Sequence, residues 1–194
     1  MKKLLKITKT TIILFIFTIF ITHNLIANDK SKDEKKAAGV YFSGGIATGS
    51  IDGSGKGYPF MIGGLIRLME ITETTYWLIN FDVGGSFWID ENYTEAHLFI
   101  GTRIKQVFLN YIELYAETGI MPALFNDGTV EKSGSRKFPF KGVIYYTVGG
   151  GIEFIIPSTG MGLGSLVRYK IPIIKGVENL NSHLAIYAVL SFEM

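Results

Sequence analysis

The chain has 194 residues, of which 47% are apolar and 19% are charged, and it contains no cysteine. This apolar fraction excludes an intrinsically disordered chain. The lack of cysteine excludes a disulfide framework, a zinc site with cysteine ligands and a lipid-modified N-terminal cysteine. The formal net charge of +2 gives no sign of the basic face that nucleic-acid binding needs, so we predict no nucleic-acid partner.

The N-terminal segment has the features of an export signal. Lys2, Lys3, Lys6 and Lys9 precede an apolar run over residues 11–22, and a cleavage site follows Ala27. The run is shorter than the roughly 20 residues of a membrane-spanning helix, so we favour a cleaved signal over an uncleaved anchor. We predict a signal peptide at residues 1–27 and a flexible, charged periplasmic leader at residues 28–38.

From residue 39 onward, apolar residues alternate with polar or small ones, and no window shows a sustained helical period. Turn-forming clusters separate eight alternating segments, an even number, and these are long enough for tilted strands to cross a bilayer. The segments are residues 39–49, 58–70, 74–88, 94–106, 109–120, 142–156, 161–171 and 182–194. We therefore predict an all-β fold: an eight-stranded antiparallel up-and-down transmembrane β-barrel over residues 39–194.

The composition of the two strand faces indicates which face lies inside. The fifth segment, for example, puts Leu114 and Ile120 on one face and Glu113 and Glu117 on the other. Across the segments, the polar face is rich in glycine, serine and tyrosine, which suits the narrow interior of an eight-stranded barrel. The opposite face is large and apolar, so we predict that it faces lipid.

The predicted register turns charged residues of both signs into the lumen. Because an isolated buried charge is costly, we expect opposite charges on neighbouring strands to pair. We interpret the set as a structural charge network that plugs the barrel, in preference to a conducting lumen. Its members are Arg67, Asp82, Glu95, Arg103, Lys105, Glu113, Glu117, Glu153, Arg168 and Lys170, and Glu193 shares their face.

The predicted connections alternate between short turns and longer polar loops, as expected if the short turns are periplasmic. The longest outer connection, residues 121–141, contains Lys132, Arg136 and Lys137, which are candidates for contact with an extracellular or host partner. The alternative is a solvated cap. Aromatic residues near the strand ends resemble the girdles at membrane interfaces: Tyr58, Phe60, Trp88, Tyr93, Phe138, Phe140 and Tyr169.

No catalytic, metal or cofactor site is predicted. A serine hydrolase needs a histidine beside the nucleophile. Ser182 and His183 are adjacent in a strand and therefore point to opposite faces, and His97 and His183 are both assigned to the lumen. We therefore predict that the protein is not an enzyme.

Three segments carry a resemblance to known families: YFSGGIATGS at residues 41–50, YIELYAETGIMPALF at 111–125 and LAIYAVLSFEM at 184–194. Together with the signal and leader, they resemble small outer-membrane β-barrels, including OmpA-like transmembrane domains and opacity-type porin-like proteins. The resemblance implies a bacterial outer-membrane location and insertion by the outer-membrane assembly machinery. In those families the last strand ends in an aromatic residue, whereas here Phe192 precedes the final Met194 by two positions.

Our main hypothesis is an integral outer-membrane barrel, surrounded by outer-membrane lipid, with a structural or surface-interaction role. A first alternative is a narrow porin-like channel for small solutes. A second alternative is a soluble periplasmic barrel that binds a lipophilic ligand in an apolar interior, as lipocalins do.

Overall fold

A computed structural model describes residues 38–49, 55–88, 93–126, 140–156, 158–175 and 180–193. These residues form eight strands: β1 (Ala38–Thr48), β2 (Lys56–Thr72), β3 (Thr75–Trp88), β4 (Tyr93–Phe108), β5 (Ile112–Asn126), β6 (Phe140–Ile156), β7 (Met161–Lys175) and β8 (His183–Glu193). No helix in these ranges is both long and apolar enough to cross a membrane. The predicted signal peptide lies outside the described residues, as does the leader except for Ala38.

The strands close into one barrel. Each strand pairs antiparallel with the next along the chain, and β1 also pairs with β8, so the predicted up-and-down fold is confirmed. Following the paired residues around the barrel from Ala38 leads back to β1 at Thr48, ten residues further along. A stagger of this size tilts the strands by about 40° to the barrel axis. Closure also leaves no strand edge unpaired.

The two ends of the barrel differ in their connections. At one end, here called the turn end, the connections are short: residues 73–74, 109–111 and 157–160. Leu109 and Asn110 adopt positive φ angles in the second of these turns. At the other end, here called the loop end, the connections span residues 49–55, 89–92, 127–139 and 176–182, and all of them except the four-residue 89–92 are longer than any turn-end connection. The alternation matches the predicted pattern of short and long connections.

Two strands, β5 and β7, end four or more residues beyond their predicted ends, and in both a proline lies in the added part. We expected the fifth strand to end at residue 120, but β5 continues through Pro122 to Asn126, paired with β6 throughout. A proline removes only one donor from the ladder, and the pairs on either side maintain the strand. In β7, Pro172 pairs with Tyr145 at a β-bulge, a position where proline is tolerated in sheets.

The faces of the barrel are as predicted: large apolar side chains point outward and the charged residues point inward. The assignment of Trp88 to an aromatic girdle is wrong, because its side chain is buried inside the barrel, with its ring nearly perpendicular to that of His183. Trp88 follows the outward Phe87 and therefore has inward parity. Tyr58, Phe60 and Tyr169 are exposed on the outer surface. The side chains of Tyr93, Phe138 and Phe140 lie outside the described part of the chain.

Inward glycines make room for aromatic rings that lie against the barrel wall. A Cβ added to Gly63 would lie 2.4 Å from Cζ of Tyr41, and one added to Gly151 would lie 2.5 Å from Cζ of Tyr115. Neither ring can occupy its place if the glycine carries a side chain. Small residues therefore line the wall of the lumen because large tyrosine rings fill the space in front of them.

We predict that Gly63→Ala destabilises the barrel by about 1–3 kcal/mol, because the new methyl group must displace the buried Tyr41 ring. The measurement is urea unfolding of the refolded protein in detergent micelles, followed by tryptophan fluorescence. Gly142→Ala is the matched control, since no atom lies within 4 Å of its added Cβ. Equal stability of the two variants would contradict this account of the packing.

Candidate functional site

The charged residues predicted to face the lumen lie on inward positions of six strands, β2 to β7. Nine of the ten are buried and Arg67, at the turn end, is half-buried. Glu193, the eleventh member of that face, is half-buried in β8. The structure divides these residues into three groups along the barrel axis: a central cluster, a turn-end group and a loop-end group.

The central cluster is organised by Glu117. Its Oε2 accepts hydrogen bonds from Arg103 Nε at 3.1 Å and Arg103 Nη2 at 2.8 Å, and its Oε1 accepts one from Arg168 Nε at 2.5 Å. Asn80 Nδ2 donates a further hydrogen bond to Oε2 at 2.7 Å. One carboxylate therefore joins two arginines from different strands, β4 and β7.

Two more carboxylates complete the central cluster. Asp82 Oδ2 accepts from Arg168 Nη2 and from the Tyr41 hydroxyl, both at 2.7 Å. Glu153 Oε1 lies 3.8 Å from Arg103 Nη1, and its Oε2 accepts from the Ser191 hydroxyl at 2.5 Å. The cluster consists of Asp82, Arg103, Glu117, Glu153 and Arg168. Its contacts connect β1, β3, β4, β5, β6, β7 and β8 across the lumen.

Aromatic rings fill the space beside the two arginines. The guanidinium carbon of Arg103 lies 3.9 Å from the ring centroid of Tyr115, and that of Arg168 lies 4.2 Å from the centroid of Phe99. A cation held over an aromatic face in a dry site gains further stabilisation. The rings therefore add to the interactions of both arginines and exclude water from around them.

The turn-end group is a smaller ionic arrangement near the barrel mouth. Lys105 Nζ lies 2.8 Å from a carboxylate oxygen of Glu113 and also contacts the carboxylate of Glu193. The Arg67 guanidinium lies over the Tyr76 ring, 4.5 Å from its centroid. Lys105 therefore has two acidic partners, so the loss of either one leaves it paired.

The loop-end group contains a histidine between two carboxylates. Lys170 Nζ donates to Glu95 Oε1 at 3.0 Å. His97 Nδ1 lies 3.3 Å from the same oxygen, and His97 Nε2 lies 3.9 Å from Asp82 Oδ1. His97 therefore lies between the loop-end group and the central cluster.

Among the described residues, the arrangement pairs buried charges with one another. His97 and His183 both point into the barrel, and Ser182 lies just before β8. No group of three or more His, Asp or Glu residues in the described ranges could hold a metal ion. Lys132, Arg136 and Lys137 fall in the connection 127–139, outside the described residues.

Sequence reasoning missed the neutral residues that complete the network. Asn80, Tyr41 and Ser191 each bond a charged member of the central cluster, yet none was proposed as a site residue. Their inward parity was available from the alternation of β1, β3 and β8. Which charge each would meet depends on the stagger between strands, which alternation does not reveal.

No protein-family model matches the sequence, and a comparison with curated proteins found no match either. Two solved structures are similar to the fold. Neisserial surface protein A superposes with a TM-score of 0.59 at 13% identity, covering 81% of this chain and 96% of that one. The outer membrane enzyme PagL superposes with a TM-score of 0.53 at 15% identity, covering 80% of this chain and 99% of that one.

The chain has the fold of the small eight-stranded outer-membrane β-barrels. This confirms the resemblance stated from the sequence at the level of the fold. At these identities the likeness concerns the fold alone. The function must therefore be argued from the surfaces and the lumen of this chain.

We predict that Glu117→Gln destabilises the barrel by about 3–5 kcal/mol, because two buried cations lose a carboxylate at once: Arg168 keeps only Asp82, and Arg103 keeps only Glu153, 3.8 Å away. Glu113→Gln is the matched control and should cost clearly less, because Lys105 keeps Glu193. Both variants are compared with the wild type by urea unfolding in detergent. A similar loss in the free energy of unfolding of the two variants would show that the central cluster stabilises the barrel no more than the turn-end group does.

Proposed function

We propose that this protein is an integral barrel of the bacterial outer membrane with a structural or surface-interaction role, and that paired charges seal its lumen. The proposal depends on the distribution of side chains: charged residues lie inside and large apolar residues lie outside, the reverse of a soluble protein. Arg103, Arg168, Lys170 and Glu117 are at most 4% exposed, whereas Ile100 and Leu163 are 56% exposed. Such a distribution suits a molecule with lipid outside and ion pairs inside.

The outer surface supports a membrane location. Large apolar residues are exposed on every strand, far beyond the patches of a few hundred Å² that soluble monomers present. Closure of the sheet leaves no unpaired strand edge facing the hydrocarbon. The barrel also shares its fold with PagL, which is an outer membrane protein.

The lumen supports a sealed barrel over the alternative channel. The central cluster crosses the interior, and Phe99 and Tyr41, which lie against the walls, are at most 1% exposed. A solute would have to separate Glu117 from both arginines to pass. Passage of small solutes through the lumen would contradict this proposal and favour the channel.

The soluble lipocalin-like alternative is disfavoured by the same distribution. A barrel that binds a lipophilic ligand needs an apolar interior and a polar exterior. Here nine charged residues of the predicted network are buried inside and the apolar residues are outside. We propose no lipophilic ligand for the interior.

We propose a non-enzymatic role, although PagL, an outer membrane enzyme, has the same fold. An enzyme that acts on lipid needs its reactive groups on the outer face or the rim. Both histidines in the described part of the chain, His97 and His183, are buried in the lumen. Neither is placed to activate a nucleophile for a substrate in the membrane.

We propose that contact with an extracellular or host partner is made through the loop end, where the connections are long. The basic residues Lys132, Arg136 and Lys137 belong to the longest of these connections. The outer-membrane assembly machinery and outer-membrane lipid are the other partners we propose. Both follow from the barrel fold and its apolar exterior.

We predict that Ile100→Arg hinders insertion into lipid vesicles by about 2–4 kcal/mol, because Ile100 lies outward at the middle of β4. Ile71→Arg is the control, since Ile71 is also exposed but lies at the turn end of β2, where the cost falls to about 0–1 kcal/mol. The measurement is the folded fraction on unboiled gels, where compact barrels migrate differently from boiled ones. Equal insertion of both variants would speak against a lipid-facing exterior.

We predict that the folded protein, reconstituted in planar lipid bilayers, produces no stable channel openings. The reason is the central cluster, whose separation would leave buried charges unpaired. Unboiled gel migration of the same preparation verifies that the protein is folded. Steady openings of uniform conductance would contradict the sealed barrel and favour the narrow porin-like channel.

A further inference from the structure

The outer surface of the barrel has a notch where small outward residues adjoin on three neighbouring strands. Gly44 of β1 pairs with Ala188 of β8, and Ala188 pairs with Ser165 of β7. All three residues have outward parity, and Gly44 and Ala188 are exposed. The notch therefore crosses the seam at which β1 and β8 close the barrel.

Large apolar side chains stand on both sides of this notch. On each of the three strands, the outward residues two positions before and after the small one are large, so they reach further from the wall. They are Phe42 and Ile46 in β1, Ile186 and Leu190 in β8, and Leu163 and Val167 in β7. A floor of small residues between two ridges of large ones forms a groove.

Two surface depressions meet at the notch, with volumes of about 820 and 490 Å³, and both include Gly44 and Ala188. Their sizes fall in the range of small-molecule sites, about 300–1,000 Å³. We call the two together the seam groove. Besides the small residues and Thr48 at its upper end, its main outward lining residues are Phe42, Ile46, Phe60, Ile62, Leu163 and Ile186.

The seam groove is about one leaflet deep. It follows β1 from Thr48, the last residue of that strand at the loop end, to Phe42. This step covers about 20 Å of strand and, at a tilt of about 40°, about 15 Å of depth. The hydrocarbon of one leaflet is also about 15 Å thick. The groove therefore extends from the membrane surface at the loop end to the middle of the bilayer.

A lysine lies at the loop-end mouth of the seam groove. Lys56 pairs with Thr48, and both residues are outward and exposed. On the other side of the mouth, Tyr169 pairs with Leu184 and is 42% exposed. Lysine and tyrosine are residues that anchor at the headgroup level of a membrane, and a cation there attracts anionic lipid. The mouth therefore favours a negatively charged headgroup.

A second copy of the barrel fits this surface less well than a lipid chain does. The outer wall is convex, so two barrels touch along a narrow line and leave the floor of the groove unfilled. In a symmetric pair related by a two-fold axis along the bilayer normal, the same patch meets itself. The two Lys56 residues would then face each other at one level and repel. A thin, flexible chain with a negative headgroup meets neither obstacle.

We propose that the seam groove binds one acyl chain of a membrane lipid whose anionic headgroup pairs with Lys56. The chain lies over Gly44 and Ala188, between the two ridges, in the leaflet at the loop end. This inference rests on the proposed membrane location and deepens it. One part of the exterior holds a specific lipid, whereas mobile lipid surrounds the rest.

The first test is photocrosslinking in lipid nanodiscs that contain phosphatidylglycerol with a diazirine on its acyl chain, with labelled residues mapped by mass spectrometry. We expect residues 42–46 and 186–190 to be labelled several-fold more than residues 98–102 and 116–120, near the middle of β4 and β5 on the opposite wall. Equal labelling of the two walls would overturn the groove and keep the membrane location. Absence of label from both walls of the folded protein would overturn the proposed function itself.

The variant Ala188→Leu fills the floor of the seam groove. Its matched control is Ala116→Leu, because Ala116 is also outward and exposed but lies on β5. We expect Ala188→Leu to lose the excess label at the seam and Ala116→Leu to keep it. Migration on unboiled gels verifies that both variants are folded. Undiminished label at the seam of Ala188→Leu would contradict the groove.

The variant Lys56→Gln tests the headgroup without altering the groove. We expect phosphatidylglycerol to label the wild-type seam several-fold more than phosphatidylcholine with the same chain, and Lys56→Gln to remove this difference. Lys141→Gln, which changes an exposed lysine at the loop end of β6, should retain it. Equal labelling of the wild type by both lipids would overturn the anionic headgroup. An unlabelled seam in a preparation that native mass spectrometry shows to be dimeric would overturn the acyl chain in favour of a second copy.

Discussion

The cost of burying charge is the constraint on which this structure depends. With lipid outside the barrel, as we propose, the closed wall of eight strands leaves the inward arginines no route to bulk water. Arg103 and Arg168 are stable there because both bond one carboxylate, that of Glu117, while Asp82 and Glu153 take their remaining donors. The same interaction connects strands that are distant in sequence and crosses the lumen at its centre.

Closure of the sheet and the composition of its two faces follow from the same environment. A strand in hydrocarbon must pair all its backbone groups, so an open sheet edge is not available to it. The pairing of β1 with β8 meets that requirement. With the backbone satisfied, the outward positions can be apolar throughout, and the polar residues collect on the one face that lipid does not reach. The apolar exterior and the ionic interior are therefore two results of one constraint.

Packing inside the barrel explains the glycines better than flexibility does. Gly63 and Gly151 lie beneath the rings of Tyr41 and Tyr115, and a Cβ at either position would overlap the ring. The rings in turn lie beside the Arg103 guanidinium. The central cluster thus depends on the absence of side chains at wall positions that make no polar contact themselves. The same packing recurs near the loop end, where a Cβ added to Gly57 would lie 2.8 Å from the Trp88 ring.

The sequence by itself determined the fold class, the number of strands and the face that each charged residue occupies, because a period of two residues is a local property that the chain carries without its partners. It also indicated that opposite charges meet in the lumen. It did not show that Glu117 would serve two arginines, that Asn80 and Tyr41 would join them, or that β5 would continue past Pro122 to Asn126. The alternation places Trp88 on an inward position, but its place near a strand end led to its assignment to the outer aromatic girdle. Only the tertiary structure decided which side chains meet at Glu117, since that depends on the ten-residue stagger accumulated around the closed barrel, and the stagger sets which inward side chains share a level.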